Sequence, residues 1–206
     1  VKSATEGYEN YLLDEANRGI NDFIDDVSVW YVRRSRERLK GDNGEEDKVY
    51  AYETLTFVLQ TLAKVMAPVM PFISERVYKQ TGGKKESVHL ESWPEKVMID
   101  EKIIEDMKNV REVVSKALME RTKKGVNVKQ PLQSLVAVVN IPAEYHNLIK
   151  DEVNVKEVKV DSSINGEVIL DFVLNESLIK EGDIRKIMRA VQDVRKEKGL
   201  SPSDII

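Results

Sequence analysis

Apolar residues recur at spacings of three and four through the first half of the chain, and at spacings nearer two in parts of the second half. Tyr8, Leu12, Ala16, Ile20, Ile24, Val27 and Tyr31 predict helix across residues 8–40. Gly19 weakens the middle of that pattern by about 1 kcal/mol relative to alanine, and a kink or break is expected near Asp25–Ser28. The Gly- and acid-rich segment 41–47 reads as a loop. Tyr52, Leu55, Leu59, Leu62 and Met66 mark the next helix, from about Val49 to Met66. Pro68 and Pro71 stop it, and Pro71 suits the first turn of a following helix that carries Phe72, Ile73, Val77 and Tyr78 and ends near Gly82-Gly83. Residues 84–99 form an irregular connection. Asp100 then caps a helix whose stripe is Ile103, Met107, Val110, Val114, Ala117 and Leu118.

Beyond the stretch Arg121–Leu132 the period changes. Leu135–Ile141 predicts a short apolar strand, 143–151 a short helix, and Val155–Val160 and Val168–Leu174 two alternating strands. A last amphipathic helix, about Glu176–Lys198, has Ile184, Ile187, Met188, Val191 and Val194 as its inward face, and the closing residues read as a turn and a strand. The expected fold is mainly α: a helical bundle over 1–120, a basic linker over 121–132, and a small α+β module over 133–206.

Composition narrows the chemistry. The 206 residues contain no cysteine, which excludes disulfides and thiolate metal sites and fits a reducing, cytoplasmic setting. No apolar run approaches the roughly 20 residues that span a bilayer. Both ends read as if cut from a longer protein. The two histidines stand in unrelated contexts, and there is no HExxH pattern and no glycine-rich phosphate loop. Catalytic residues, metal ligands and a cofactor site are therefore not expected in this chain.

Charge is distributed unevenly. The whole chain carries net −4, yet WYVRRSRERLK, Trp30 to Lys40, holds Arg33, Arg34, Arg36, Arg38 and Lys40 against Glu37 alone. At about 100° per residue, Arg33, Arg36 and Lys40 fall on one outward face, a basic ridge suited to tracking phosphates, with Arg34 flanking. A solvated helix face is the plainer reading of the same ridge. Arg38 falls near the inward stripe and is expected to pair with a carboxylate. Trp30 lies toward the edge, open to stacking on an unpaired base or to packing, whereas Tyr31 is expected in the core. A second basic stretch carries Arg121, Lys123, Lys124 and Lys129 around Gly125, either a phosphate-binding loop or an ordinary linker. A third comprises Arg185, Arg189 and Lys196 on one face of the last helix.

Five segments, taken in order, resemble one family. FIDDVSVWYVRRSRERL (Phe23–Leu39) resembles the anticodon-binding helical domain of class I aminoacyl-tRNA synthetases. LAKVMAPVMPFISERVY (Leu62–Tyr78) is similar to that domain's PxxPFxxE-type segment, and SVHLESWPE (Ser87–Glu95) to the HxxxWP signature that follows it. NVKQPL (Asn127–Leu132) resembles the link into a small C-terminal module, and residues 184–206 resemble that module's helix and strand. The WYVRRSR wording and the KQPL link point to isoleucyl-tRNA synthetases of the archaeal and eukaryotic-cytosolic kind. Valyl enzymes usually follow the Trp-Tyr pair with an acidic residue and end in a coiled coil.

The resemblance implies a tRNA-binding region whose parent enzyme joins isoleucine to its tRNA with ATP and Mg. That chemistry belongs to a catalytic domain whose HIGH and KMSKS motifs are absent here. The partners it implies are isoleucine tRNA and the catalytic domain of the same polypeptide, with no membrane. Trp30, Arg33, Arg34, Arg36, Lys40, Lys123, Lys124, Lys129, Arg185 and Arg189 are the candidate tRNA-binding residues. Two other readings stay open: the equivalent region of a valyl or leucyl enzyme, and a helical protein-interaction module that binds no RNA.

Overall fold

A computed structural model of the chain describes residues 1–95, 97–163, 167–200 and 204. The chain forms two compact units, Val1–Met98 and Ile99–Ile206. The first contains α1 (Lys2–Glu9), α2 (Leu13–Asp25), a π-helical segment over Asp26–Val32, α3 (Arg36–Lys40), α4 (Glu45–Met66) and α5 (Pro71–Gln80). The second contains α6 (Glu101–Lys123), β1 (Leu132–Ala137), α7 (His146–Val153), β2 (Val155–Val160), β3 (Val168–Leu170) and α8 (Glu176–Glu197). The mainly α fold with a small α+β part is as read from the sequence.

The helix expected over 8–40 is broken into several pieces. Tyr11 adopts φ 59°, outside helical geometry, and separates α1 from α2. The two helices turn back on each other because Gly7 has no side chain: a Cβ there would lie 2.8 Å from the Cβ of Ala16. Leu12, counted in the apolar stripe, is exposed in this turn. The break expected near Asp25–Ser28 coincides with the start of the π-helical segment, and Ser35, at φ −84° and ψ 2°, interrupts the helix again. The core of the unit unites Ala4, Ile20, Val65 and Met66 with the partly buried Tyr8, Ile24 and Leu62.

α4 starts at Glu45, earlier than its apolar stripe announces, because Glu45, Glu46 and Asp47 suit the positive end of a helix. Pro71 opens α5. Phe72 and Ile73, expected in its stripe, stand exposed, while Ser74 and Tyr78 are buried. The connection after α5 is irregular but well anchored. Glu75 accepts from the Ser87 hydroxyl and the Val88 N–H, both at 2.9 Å. Tyr78 donates to Glu91, which also pairs with Lys64 at 3.3 Å. Trp93 donates from Nε1 to the Thr5 hydroxyl at 2.9 Å and meets the Tyr8 ring edge-on at 5.7 Å. Lys79, the Val88 amide and the Ser87 hydroxyl together hold the Glu75 carboxyl down at about 2. The PFISE and SVHLESWP segments are thus joined by direct hydrogen bonds.

In the second unit β1 is central, parallel to β2 and antiparallel to β3, with Leu135 opposite Val158 on one side and Leu170 on the other. The parallel pair requires a crossover, which α7 supplies. β2 buries Val155 and Val158 rather than alternating strictly, and its Lys156, Glu157 and Lys159 give this edge the charge that discourages further pairing. β1 and β3 end earlier than their apolar runs suggest.

Asp100 caps α6 by accepting from the N–H groups of Lys102 and Ile103. This helix packs on α7 and β3, so residues 101–120 belong with the sheet and not with the helical bundle expected over 1–120. Its buried stripe is Val110, Val113, Val114 and Ala117. α8 also differs from expectation. Leu178 and Gly182 are buried, but Ile184, Ile187, Met188, Val191 and Val194 are all exposed, so among the described residues the burial of this helix lies in its first turns. The expected closing strand lies outside the described residues.

Candidate nucleic-acid interface

The stretch Trp30–Lys40 is shaped by the two interruptions around it. The wider π-helical turn carries Trp30, half-buried, and brings it under the Arg33 guanidinium, 5.6 Å from the ring centroid. Such a cation–π contact fixes the position of both groups. Arg33 also donates from Nε to the Val29 carbonyl at 3.1 Å. Ser35 is buried at the turn, and α3 then presents Arg36 and Lys40, both exposed, one helical turn apart. Arg34 is half-buried beside them, and Tyr31, expected in the core, is half-buried too. A turn at Ser35 separates Arg33 from Arg36, while the Ser35 and Leu39 N–H groups still bond the carbonyls four residues back at 2.9 and 2.8 Å, and Arg33, Arg36 and Lys40 are all exposed.

Arg38 does turn to a carboxylate. Its guanidinium grips Asp47 of α4 with three bonds of 2.8–3.0 Å, which raises the arginine's pKa and lowers that of Asp47. Lys40 lies 3.8 Å from Glu37, a loose contact. The stretch therefore places its cations within eleven residues, with Arg38 neutralised by Asp47 and Glu37 as the one acid of its own.

The other candidates differ in kind. Lys123 is bonded to Glu120 at 2.7 Å, Arg185 to Glu181 at 2.8 Å, and Arg189 to Asp193 at 3.4 Å, all within their own helices. Lys124 is exposed beside Gly125, whose φ of 67° ends α6. Arg121, counted in the basic stretch, is instead a core residue at 1% exposure. It donates to the carbonyls of Asn127, Gln130 and Asn154 at 2.9–3.1 Å, and burial lowers its pKa to about 10, so it stays charged at neutral pH. It fixes the loop that carries Lys129. Lys129 and Arg185, read as members of separate stretches, border one open groove together with Lys150 and Lys156. The last two lie in segments without a basic run, so only the fold brings them in.

His146 lies 3.2 Å from the Ile141 carbonyl and His89 stands in the anchored connection. No cluster of metal-ligating side chains occurs among the described residues, and no described helix is long and apolar enough to cross a membrane.

The family described as the anticodon-binding domain of tRNA ligase matches residues 1–136. The isoleucine–tRNA ligase of Thermoplasma acidophilum is 34% identical over 162 residues, covering 78% of this chain and 16% of the relative. That of Clostridium acetobutylicum is 37% identical over 177 residues, covering 80% of the chain and 17% of the relative. That of Dehalococcoides mccartyi strain CBDB1 is 32% identical over 233 residues, covering 100% of the chain and 23% of the relative. The chain thus spans 16% to 23% of the length of these curated relatives.

Proposed function

The chain belongs to the family of anticodon-binding domains of tRNA ligases, and on that premise we propose that it is the tRNA-holding part of an isoleucine–tRNA ligase. It positions isoleucine tRNA by the anticodon stem-loop while a separate catalytic domain of the same polypeptide, using ATP and Mg, performs the ligation in the cytoplasm. The observation that carries this reading is the Trp30–Lys40 stretch: Arg33 over the half-buried Trp30 indole, followed closely along the chain by Arg34, Arg36 and Lys40, on an acidic protein.

RNA physics gives each group a task. The phosphates of the stem-loop are met by Arg36 and Lys40 on α3 and by Arg33 and Arg34 just before it. Such contacts set position without reading sequence. Base identity in RNA is read on unstacked, single-stranded bases, which an anticodon loop offers. Trp30, held by Arg33, presents a ring against which such a base can stack. On a chain of net charge −4, such local clusters of cations are where RNA is drawn. The anchored connection and the packed helices supply the platform that holds these groups.

The test is made in the intact ligase. Replacing Arg33, Arg36 and Lys40 with alanine should raise KM for tRNA in aminoacylation at least ten-fold and leave isoleucine-dependent pyrophosphate exchange unchanged. An equal loss in both reactions, or in neither, would overturn the assignment.

A further inference from the structure

We propose that the second unit holds a separate binding groove for the phosphate backbone of RNA, formed by Lys129, Lys150, Lys156 and Arg185. The proposal rests on the RNA-binding reading above and places a second contact in the other unit, where the fold joins the candidates Lys129 and Arg185 to Lys150 and Lys156.

The groove is open and measures about 550 Å³. Its cations come from three places in the fold: the loop before β1 (Lys129), the end of α7 and start of β2 (Lys150 and Lys156), and α8 (Arg185). Four positive side chains against Asp151 give its lining a charge of +4 − 1 = +3, on a chain whose total is −4. Glu181 stands beside it and bonds both Lys156, at 2.5 Å, and Arg185, at 2.8 Å. Among the described residues Lys129 and Lys150 have no ion-pair partner, so they carry the groove's uncompensated charge.

The framework of the groove is built firmly. Arg121, buried beneath it, ties Asn127, Gln130 and Asn154 together through their carbonyls. Asn154, at φ 56°, donates its side-chain amide to the Val128 carbonyl at 2.7 Å. α8 is docked against the same loop, because Gly182 leaves room for Gln130: a Cβ on Gly182 would fall 2.2 Å from the Gln130 Oε1. Gln130 then donates to the Leu178 carbonyl at 2.7 Å. Arg185 is thereby fixed across from Lys129.

The lining indicates which ligand fits. No aromatic side chain lines the groove, so stacking on bases has no platform. The groove is too open to enclose a small anion on most sides, as small-ligand sites do. Lysines spread along an open channel act as point charges that follow successive phosphates. A phosphodiester backbone meets these conditions.

The experiment measures fluorescence anisotropy of a labelled RNA hairpin with a seven-base loop against the full chain at several salt concentrations. In the Lys129→Ala/Lys150→Ala variant, binding at about 0.1 M salt should weaken about ten-fold, and the slope of log affinity on log salt should fall by about 1.4 to 1.8, two contacts at 0.7–0.9 each. The Glu181→Gln variant should shift affinity the other way, tightening it about three-fold, which misfolding does not imitate. If both variants bind as the parent does while the Arg33/Arg36/Lys40 alanine variant binds more weakly, the groove is overturned and the reading of the first unit survives. If the groove variants respond and that triple variant does not, the groove stands alone. A chain that binds no hairpin even at low salt overturns both, and competition by poly-glutamate as strong as by RNA overturns the phosphate assignment.

Discussion

The Trp30–Lys40 stretch of the first unit and the Arg185–Lys196 face of α8 have similar numbers of cations but different electrostatics. In α8 the acids fall at three or four residues from the bases: Glu181 reaches Arg185 at 2.8 Å, Asp183 reaches Lys186 at 2.9 Å, and Asp193 lies 3.4 Å from Arg189. In the first stretch Glu37 makes one loose contact with Lys40, Asp47 from another helix takes Arg38, and Arg33 and Arg34 each have interactions of their own. A run of arginines is thus a poor measure of a basic surface. The positions of carboxylates one turn away decide whether the charge is spent within the helix or presented outward.

The largest way to sharpen the contrast is to remove the one cation that serves the fold. Arg121→Ala leaves three backbone carbonyls without their donor in a buried site, and should destabilise the second unit by roughly 3 kcal/mol. Urea unfolding followed by probes in each unit should show the second unit's transition moved and the first unit's unchanged. Arg38→Ala should lower the melting midpoint of the first unit by less, since its pair with Asp47 is partly in solvent. It should leave the salt dependence of RNA binding unaltered, which separates it from its neighbours.

Acid sharpens the picture of the anchored connection. The Glu75 carboxyl is held at about 2, below its ordinary 4.5. A carboxylate with a depressed folded-state pKa adds stability above its unfolded value and loses it as pH falls through the folded one. Glu75→Gln should therefore melt lower than the parent near neutrality, with the gap closing between pH 4.5 and about 2. The smallest effect belongs to α8: Arg189→Ala should change stability by less than about 0.5 kcal/mol and RNA affinity less than two-fold. A ten-fold loss there would break the comparison with the first unit.

Much of this architecture was legible from residue patterns because local rules govern it. Asp100 as a cap, Pro71 at a first turn, the change of period near Leu132 and the partnering of Arg38 each depend on neighbours a few positions away. What escaped depends on contacts distant in sequence. Tyr11 carries no glycine-like signal for its positive φ, and the turn there is set by the approach of Gly7 to Ala16. The burial of Arg121 requires carbonyls up to Asn154. α8 has the apolar period of a packed helix, but docking is decided by Leu178, Gly182 and Gln130 at one end. Among the candidate residues, Arg33, Arg36 and Lys40 stand exposed, as their helical spacing predicts. No pattern along the chain signals that Lys129 and Arg185 meet Lys150 and Lys156.

The central claim is that the cations of the Trp30–Lys40 stretch hold RNA phosphates. Its most direct test is the binding of an isoleucine tRNA anticodon stem-loop to the whole chain, measured by fluorescence anisotropy from low to moderate salt, for the parent and for the Arg33/Arg36/Lys40 alanine variant. Three lost single-strand contacts should lower the slope of log affinity against log salt by about 2, with the melting profile of the first unit unchanged. An unaltered slope and affinity in the folded triple variant would contradict the claim.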